Sequence, residues 1–452
     1  MAPGRVNLIG EHTDYNGLPV LPIAIDRAIR VDFRVTGEAM VRLDSPVARF
    51  APFAFQLKRP IEAADQGDWS NYVRAAARGL LERGVELERG IEGTVSGDVP
   101  IASGLSSSSA LVVASALALL KANGVGVEDG MDGGTECGVR TAAVGPAPDE
   151  DAAGEYRPGR AISRLELAAL MARAERFVGL QGGGMDQAAC LHGVERHALR
   201  IEFEPLRVTP VAVPEGWRWV VASSLKRAEK SAGARKAYNE RARECRGALE
   251  AVGGAGGGAV GMAAGRDREA VADGSGATRP SSYRDLVADD DLGRVLLRAR
   301  RVLAPVLFHR FRHVVTEGRR VALAEEAMRN SDLGRFGDLM VQSHESLRDD
   351  YEVSTAELDE MVGIALEAGA AGARLTGAGF GGCIVALCEE RAVAPVMEAL
   401  ATRFYAPRLG RRPGRDAMFT VRAGRGAGVK TPPTQPGSTV PAATWICTAA
   451  DS

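Results

Sequence analysis

Apolar positions along the chain follow two periods, and the changes between them outline the elements. Val31 to Val41 holds β-branched residues in alternation, which predicts a strand. Trp69 to Arg83 carries Val73, Ala77 and Leu80 at helical spacing. Ile91 to Val99 reads as a strand feeding a Ser-rich turn, and Ser109 to Leu120 as a buried helix. Leu165 to Phe177 predicts a strong helix, because Ser163 and Glu166 stand at capping-box spacing ahead of its apolar run. Trp217 to Ser223 predicts a short buried strand. Helical patterns fill Ala234 to Val252 and Leu292 to Leu303, the second stopped by Pro305. They return from Arg319 to Asn330 and from Thr355 to Ala368, and Ile384 to Cys388 is a strand after a Gly-rich turn. Strands and helices alternate in both halves, so the class is mixed α/β or α+β.

The pattern fails in three places. Residues 124–162 and 252–291 are rich in Gly, Ala and acidic residues without apolar periodicity, and 429–452 contains TPPTQPGSTVP. Structureless stretches this long are unusual inside a compact domain. They read as two inserted loops and a disordered tail on a smaller fold.

Length and composition narrow the picture further. The 452 residues suffice for two or three domains, and 45% hydrophobic with 25% charged residues is an ordinary globular balance. The formal net charge of −2 carries no electrostatic footprint for nucleic acid. The longest apolar run, Ala110 to Leu120, is too short for a bilayer, which needs about 20 residues. The Cys residues at 137, 190, 245, 383, 388 and 447 form no CxxC pair and read as reduced thiols of a cytoplasmic protein.

Four clusters hold the candidate chemistry. Gly104-Leu105-Ser106-Ser107-Ser108-Ser109-Ala110 lies between a predicted strand and a helix, where small residues let backbone N–H groups converge on an anion. It lacks the GK[ST] ending of a P-loop, and as a local signal it is equally a Ser-rich turn with an N-cap. Gly4 to Gly17 concentrates Arg5, Glu11, His12 and Asp14 within ten residues, a density of donors and acceptors suited to a polyhydroxylated ligand. Gly182-Gly183-Gly184-Met185-Asp186-Gln187 permits close backbone approach with a carboxylate aimed inward. Thr376 to Cys383 is again Gly-rich and precedes a strand. Each of these three, alone, reads more readily as a polar turn, a capped Gly loop or a tight connection than as a site.

Together the clusters resemble one family. APGRVNLIGEHTDYNG at 2–17, SGLSSSSAL at 103–111 and TGAGFGGC at 376–383 stand in the order found in the GHMP small-molecule kinases, and the first is similar to the signature of their galactokinase branch. GGGMDQ at 182–187, SLRDDYEVS at 346–354 and the WSNYV run from Trp69 support that branch. RFVGLQGGGMDQ at 176–187, IEFEPLRVTPV at 201–211 and RARECR at 241–246 resemble its N-acetylgalactosamine kinase and plant galactokinase sub-branch. The resemblance implies a two-domain α+β fold with the active site in the interdomain cleft. Residues 1–195 would form the N-terminal domain and 196–428 the C-terminal one.

It also implies transfer of the γ-phosphoryl group of ATP, with Mg²⁺, to the C1 hydroxyl of galactose by a cytoplasmic monomer. Its partners would be the sugar and ATP, with neither nucleic acid nor membrane. By the same resemblance, Asp186 is the catalytic carboxylate and Arg5 its partner. Glu11, His12 and Asp14 contact sugar hydroxyls, Gly183 packs against the sugar ring, and Tyr238 is a sugar-contacting aromatic. Gly104, Ser106, Ser107 and Ser108 cradle the triphosphate, and Ser108 and Glu175 hold the metal. Three readings follow: a galactose kinase, the same chemistry on N-acetylgalactosamine or arabinose, and a non-catalytic sugar sensor. The sensors of this lineage have a shortened Ser loop, whereas Ser106 to Ala110 is uninterrupted here. Thr13 and Tyr238 match galactokinases, where the N-acetylgalactosamine kinase has a β-branched aliphatic residue and Phe. The family also carries a strand ahead of APGRVNLIGEH. The chain as it begins is therefore expected to leave a sheet edge unpaired beside the sugar site and to be poorly soluble or inactive.

Overall fold

The computed structural model describes residues 1–128, 161–179, 182–226, 232–253, 282–288, 291–430 and 444–445. In the first half, β1 (Ala2–Asn7), β2 (Pro22–Val35), β3 (Met40–Asp44) and β4 (Phe53–Gln56) precede α1 (Ser70–Glu82). Then come β5 (Ile91–Gly97), α2 (Ser107–Ala122), the short β6 (Val127–Glu128) and β7 (Ile162–Ser163), α3 (Arg164–Glu175) and α4 (Met185–His192). The sheet order is β1-β2-β5-β3-β4, antiparallel except for the β3–β5 pair. α2 lies across this sheet against β1 and β2, and is buried on nearly every side. That is why its sequence shows a continuous apolar run rather than a stripe.

The β8 (His197–Glu202) and β9 (Arg207–Ala212) hairpin follows, with Leu199 and Ile201 buried in the first core. The second half holds β10 (Trp217–Ser223), α5 (Ala232–Gly253), α6 (Tyr283–Val287), α7 (Leu292–Val302), α8 (Pro305–Arg329), α9 (Leu333–Asp349), α10 (Ala356–Glu367), β11 (Gly372–Thr376), β12 (Cys383–Glu389), α11 (Glu390–Ala399) and β13 (Met418–Val421). Its antiparallel sheet runs β11-β12-β10-β13. Trp217, Trp219 and Phe336 join Val6, Ile23 and Phe33 in one apolar cluster, so the two halves share a core. A second cluster, around Phe311, Tyr351, Leu358 and Phe404, lies within the second half.

Several expectations are corrected. The strand expected over 31–41 is two strands, because Thr36 to Ala39 turn the chain between β2 and β3. Ser163 accepts from the Glu166 N–H as predicted, but the Glu166 carboxylate leaves the cap and pairs with Arg83 at 2.6 Å. Pro305 both stops α7 and occupies the first turn of α8, where a missing N–H costs nothing. α8 therefore begins 14 residues before the expected Arg319, and α9 and β11 were not anticipated.

The expected inserts lie mostly outside the described residues. The flanks of the first pair as β6 and β7, and within the second α6 carries a complete capping box and buries Tyr283. The tail is likewise largely outside the described residues. Its Thr444–Trp445, here β14, pairs with Arg34 and Phe33 of β2. The opposite side of those residues is taken by β5, so β14 continues the line of β1 and covers part of the edge expected to be open. Cys190, Cys245, Cys383 and Cys388 are buried free thiols, while 137 and 447 lie outside the described residues.

Candidate active site

A cleft of about 410 Å³ opens between the two halves, and four loops meet in it. β1 brings Arg5. A bulge sets three residues of β2, Ile25 to Arg27, against the single Gly4 of β1 between Pro3 and Arg5, and such a bulge re-aims side chains. α4 brings Asp186 in its first turn, behind Gly184 at φ +109°. Arg5 Nη2 lies 2.7 Å and Nε 2.8 Å from Asp186 Oδ1, while Nη1 donates to the Gly104 carbonyl. Both arms of the fork on one oxygen leave Oδ2 turned elsewhere. It lies 3.4 Å from Ser109 Oγ, and Ser109 donates at 2.7 Å to Glu175 Oε2, which also accepts from Gln187 Nε2. One polar chain thus runs Arg5–Asp186–Ser109–Glu175–Gln187.

The Ser cradle sits at the N-terminus of α2. Ser106 stands at φ +61° and its buried Oγ has no hydrogen-bond partner among the described residues, while Ser107 and Ser108 also line the cleft. The first N–H groups of this helix have no helical acceptor and point outward with the positive end of its dipole. Gly104 and Gly377 hold this loop against the Gly-rich loop of the second half. A Cβ on Gly104 would stand 2.8 Å from the Thr376 carbonyl, and one on Gly377 2.7 Å from the Gly104 carbonyl. Beyond the cradle, Val47, Phe50, Trp69 and Tyr72 form an apolar wall.

On the other side the loop after β1 turns back through Gly10 and His12, both at positive φ. Glu11 lines the cleft, yet three protein donors already meet its carboxylate: Arg374 Nη2 at 2.8 Å, Asn7 Nδ2 at 3.1 Å and the Gly377 N–H at 3.0 Å. Burial pushes its pKa up, against the opposing pull of Arg374. Burial, helped by His313, holds His12 down at about 3, so it is neutral at pH 7. Burial and the charge of Asp186 raise Asp14 to about 6. Glu317 of α8 supports the turn from behind by accepting the Gly10 N–H at 2.9 Å. Burial opposes its charge, but Arg320, His313 and Arg374 outweigh that and hold it at about 2.

Gly183 stands directly behind Asp14. It is not among the residues lining the cleft; its N–H donates to Asp14 Oδ2 at 3.1 Å, and a Cβ there would stand 2.4 Å from the Asp14–Tyr15 backbone. The other predicted residues line the cleft together: Arg5, Glu11, His12, Asp14, Gly104, Ser106, Ser107, Ser108, Glu175, Asp186 and Tyr238. Sequence reasoning passed over Ser109 and Gln187 as site residues, although both lie inside the quoted motifs. It also used Trp69 and Tyr72 only as family markers.

Similarity to known proteins identifies the family. The galactokinase galactose-binding signature matches residues 1–34, the GHMP kinases N-terminal domain 71–138 and the GHMP kinases C-terminal 324–406. A galactokinase of Chloroflexus aggregans is 37% identical over 412 residues, covering 91% of this chain and 88% of that protein. The chain belongs to the galactokinase family. Another galactokinase, from Actinobacillus pleuropneumoniae, is 31% identical over 89% of the chain and 88% of its own length. The solved structure of Lactococcus lactis galactokinase complexed with galactose superposes with a TM-score of 0.71 at 29% identity, covering 94% of this chain and 93% of that one. Methanococcus jannaschii mevalonate kinase shares the fold, with a TM-score of 0.55 at 18% identity. This chain is thus an enzyme of the GHMP kinase fold, and among the described residues no helix is long and apolar enough to cross a membrane.

The raised Asp14 pKa carries a pH prediction. With Asp14 as a sugar contact, as the family resemblance implies, protonation would remove its capacity to accept from hydroxyls, so galactose affinity measured by calorimetry should fall as pH drops through about 6. The folded chain holds a proton here that the unfolded chain releases, so this group stabilises the unliganded fold as pH falls through the same range. Asp14→Asn should remove this component of the pH dependence of binding. An unchanged pH profile in that variant would assign the titration to another group.

Proposed function

We propose that this protein transfers the γ-phosphoryl group of ATP to the C1 hydroxyl of galactose. The Arg5–Asp186 pair beside the Ser cradle carries this reading, because it sets a carboxylate oxygen, Oδ2, met only by the long 3.4 Å contact from Ser109, next to the N-terminus of α2. The triphosphate lies over the N-terminus of α2, with Ser106, Ser107 and Ser108 donating, and the adenine lies on the wall of Trp69 and Tyr72. The sugar stands between Asp14, His12, Tyr238 and the remaining acceptor position of Glu11. Its C1 oxygen forms the new bond to the γ-phosphorus as the bond to the ADP oxygen breaks, and the hydroxyl proton passes to Asp186 Oδ2. Arg5 keeps Asp186 oriented and offsets charge gathering on the phosphoryl oxygens.

Glu175 and Ser108 are an oxygen-only donor pair beside the cradle, which suits Mg²⁺. Bound there, the cation would neutralise phosphate charge. Glu175→Gln should raise the Mg²⁺ concentration needed for half-maximal rate far more than it raises the sugar KM; an unshifted Mg²⁺ titration would move the ligand elsewhere. The enzyme reads as a cytoplasmic monomer.

A coupled ADP-release assay across galactose, N-acetylgalactosamine and arabinose tests the substrate. Galactose should be preferred. The Tyr238 hydroxyl puts a polar atom and bulk where an acetamido group would lie, and a misplaced buried polar contact costs about 1–3 kcal/mol. Tyr238→Phe should narrow the gap between the two sugars. A specificity constant for N-acetylgalactosamine equal to that for galactose would overturn the preference, and ADP release with none of the three would overturn the substrate class.

A further inference from the structure

Two buried polar side chains beside the reacting groups take no part in the transfer described above. Ser109 and Gln187 are each the third residue of their helix, Ser109 in α2 and Gln187 in α4. Both reach the same atom. Ser109 Oγ lies 2.7 Å from Glu175 Oε2, and Gln187 Nε2 meets that oxygen as well. Glu175 is the last residue of α3, so the first turns of two helices converge on the end of a third. All three side chains are buried, and all three line the cleft.

The direction of each bond follows from the groups that make it. A carboxylate only accepts, so the hydroxyl donates to it. The same requirement turns the Gln187 amide so that its nitrogen, not its oxygen, faces Oε2. The Ser109 hydroxyl has one hydrogen and two carboxylates near it. Asp186 Oδ2 stands 3.4 Å away, beyond the range of about 2.5–3.0 Å for such a bond, so the hydrogen goes to Glu175.

Electrostatics explain why Glu175 needs these donors. A negative charge at the C-terminal end of a helix meets the negative end of the helix dipole, so α3 disfavours the carboxylate that closes it. α2 and α4 turn their positive ends toward it, and their third residues each add a hydrogen. Two donors on one oxygen fix the orientation of the whole group. A carboxylate that served only to join three helices would not need to border the cavity. Glu175 borders it together with Ser107 and Ser108 of the cradle.

We propose that Ser109 and Gln187 are positioning residues that hold Glu175 by Oε2, so that its carboxylate is set to receive the cation carried by the nucleotide phosphates. The proposal rests on the assignment of Glu175 to the metal. Removing a residue that orients a metal ligand typically costs roughly 10- to 100-fold in metal affinity.

The test is ADP binding to the full chain by calorimetry, first in EDTA and then across a Mg²⁺ titration, for the native protein, Ser109→Ala and Gln187→Met. Mg²⁺ should strengthen ADP binding to the native protein. In each variant the Mg²⁺ concentration for half of that gain should rise by roughly 10-fold or more, while the metal-free ADP affinity and the galactose affinity stay as they are. An unshifted titration in either variant would overturn the role of that residue. A metal-free ADP affinity that falls as much as the Mg²⁺-bound one would overturn the proposal too, because the side chain would then support the fold of the cradle and not the metal ligand. ADP binding by the native protein that ignores Mg²⁺ would remove the metal assignment of Glu175 itself, and this proposal with it.

Discussion

Asp186→Asn should lower kcat by about 100-fold or more while galactose still binds, which is the usual cost of removing a positioned proton acceptor. The substitution keeps size and shape, and an amide oxygen can still face Arg5, whose guanidinium now meets Oδ1 at 2.7 Å. What disappears is the proposed acceptor for the C1 hydroxyl proton and the negative charge beside the Ser cradle. Single-turnover kinetics with saturating ATP separate this from a binding defect: the chemical step should slow while the galactose dissociation constant moves little. Near-native turnover would show that Asp186 neither accepts the proton nor orients the hydroxyl. Arg5→Lys should also be impaired, because a point charge cannot reproduce a fork that grips Asp186 and the Gly104 carbonyl together.

Arg374→Met should destabilise the fold by about 3–5 kcal/mol at pH 7, the range for removing one partner of a buried ion pair. Arg374 is fully buried and reaches Glu11 Oε2 at 2.8 Å and the Asn7 carbonyl at 2.9 Å. Without it, Glu11 is a buried carboxylate held only by neutral donors. The variant should recover stability relative to the native protein as pH falls, because its Glu11, with pKa raised further, takes up a proton on folding. Adding Glu11→Gln should restore a large part of the loss, which urea denaturation of the four proteins of the cycle would measure. Additive losses would show that the two side chains do not depend on each other.

Much of the fold was legible because many of its elements are locally consistent. α1, α3, α10 and β10 begin and end within about two residues of where period and capping place them. The failures share a cause. α8 hides its first half because Arg310, His313 and Glu317 are buried there, so its inward face does not read as apolar. α9 conceals itself the same way with Ser343, His344 and Ser346. These polar residues face inward because they bind other buried groups, as when Ser343 Oγ donates to Glu317 Oε1 and His313 Nε2 meets the Glu11 carbonyl. A pattern that scores polar positions as exposed cannot recover them.

The site divides along the same line. The chemistry of each loop is local: a Ser run ahead of a helix, a carboxylate behind three Gly residues, an Arg and a Glu near one turn. Their order along the chain was enough to name the family and the phosphoryl transfer that goes with it. Only the tertiary structure brought Arg5 onto Asp186 across 181 residues, committed Glu11 to Arg374 across 363, and wired His12 to Tyr351 through Tyr15. Such contacts depend on strand register, on the bulge at Arg5 and on how the two halves share a core. Those are cooperative outcomes of burying apolar surface over the whole chain, and no window of sequence carries them.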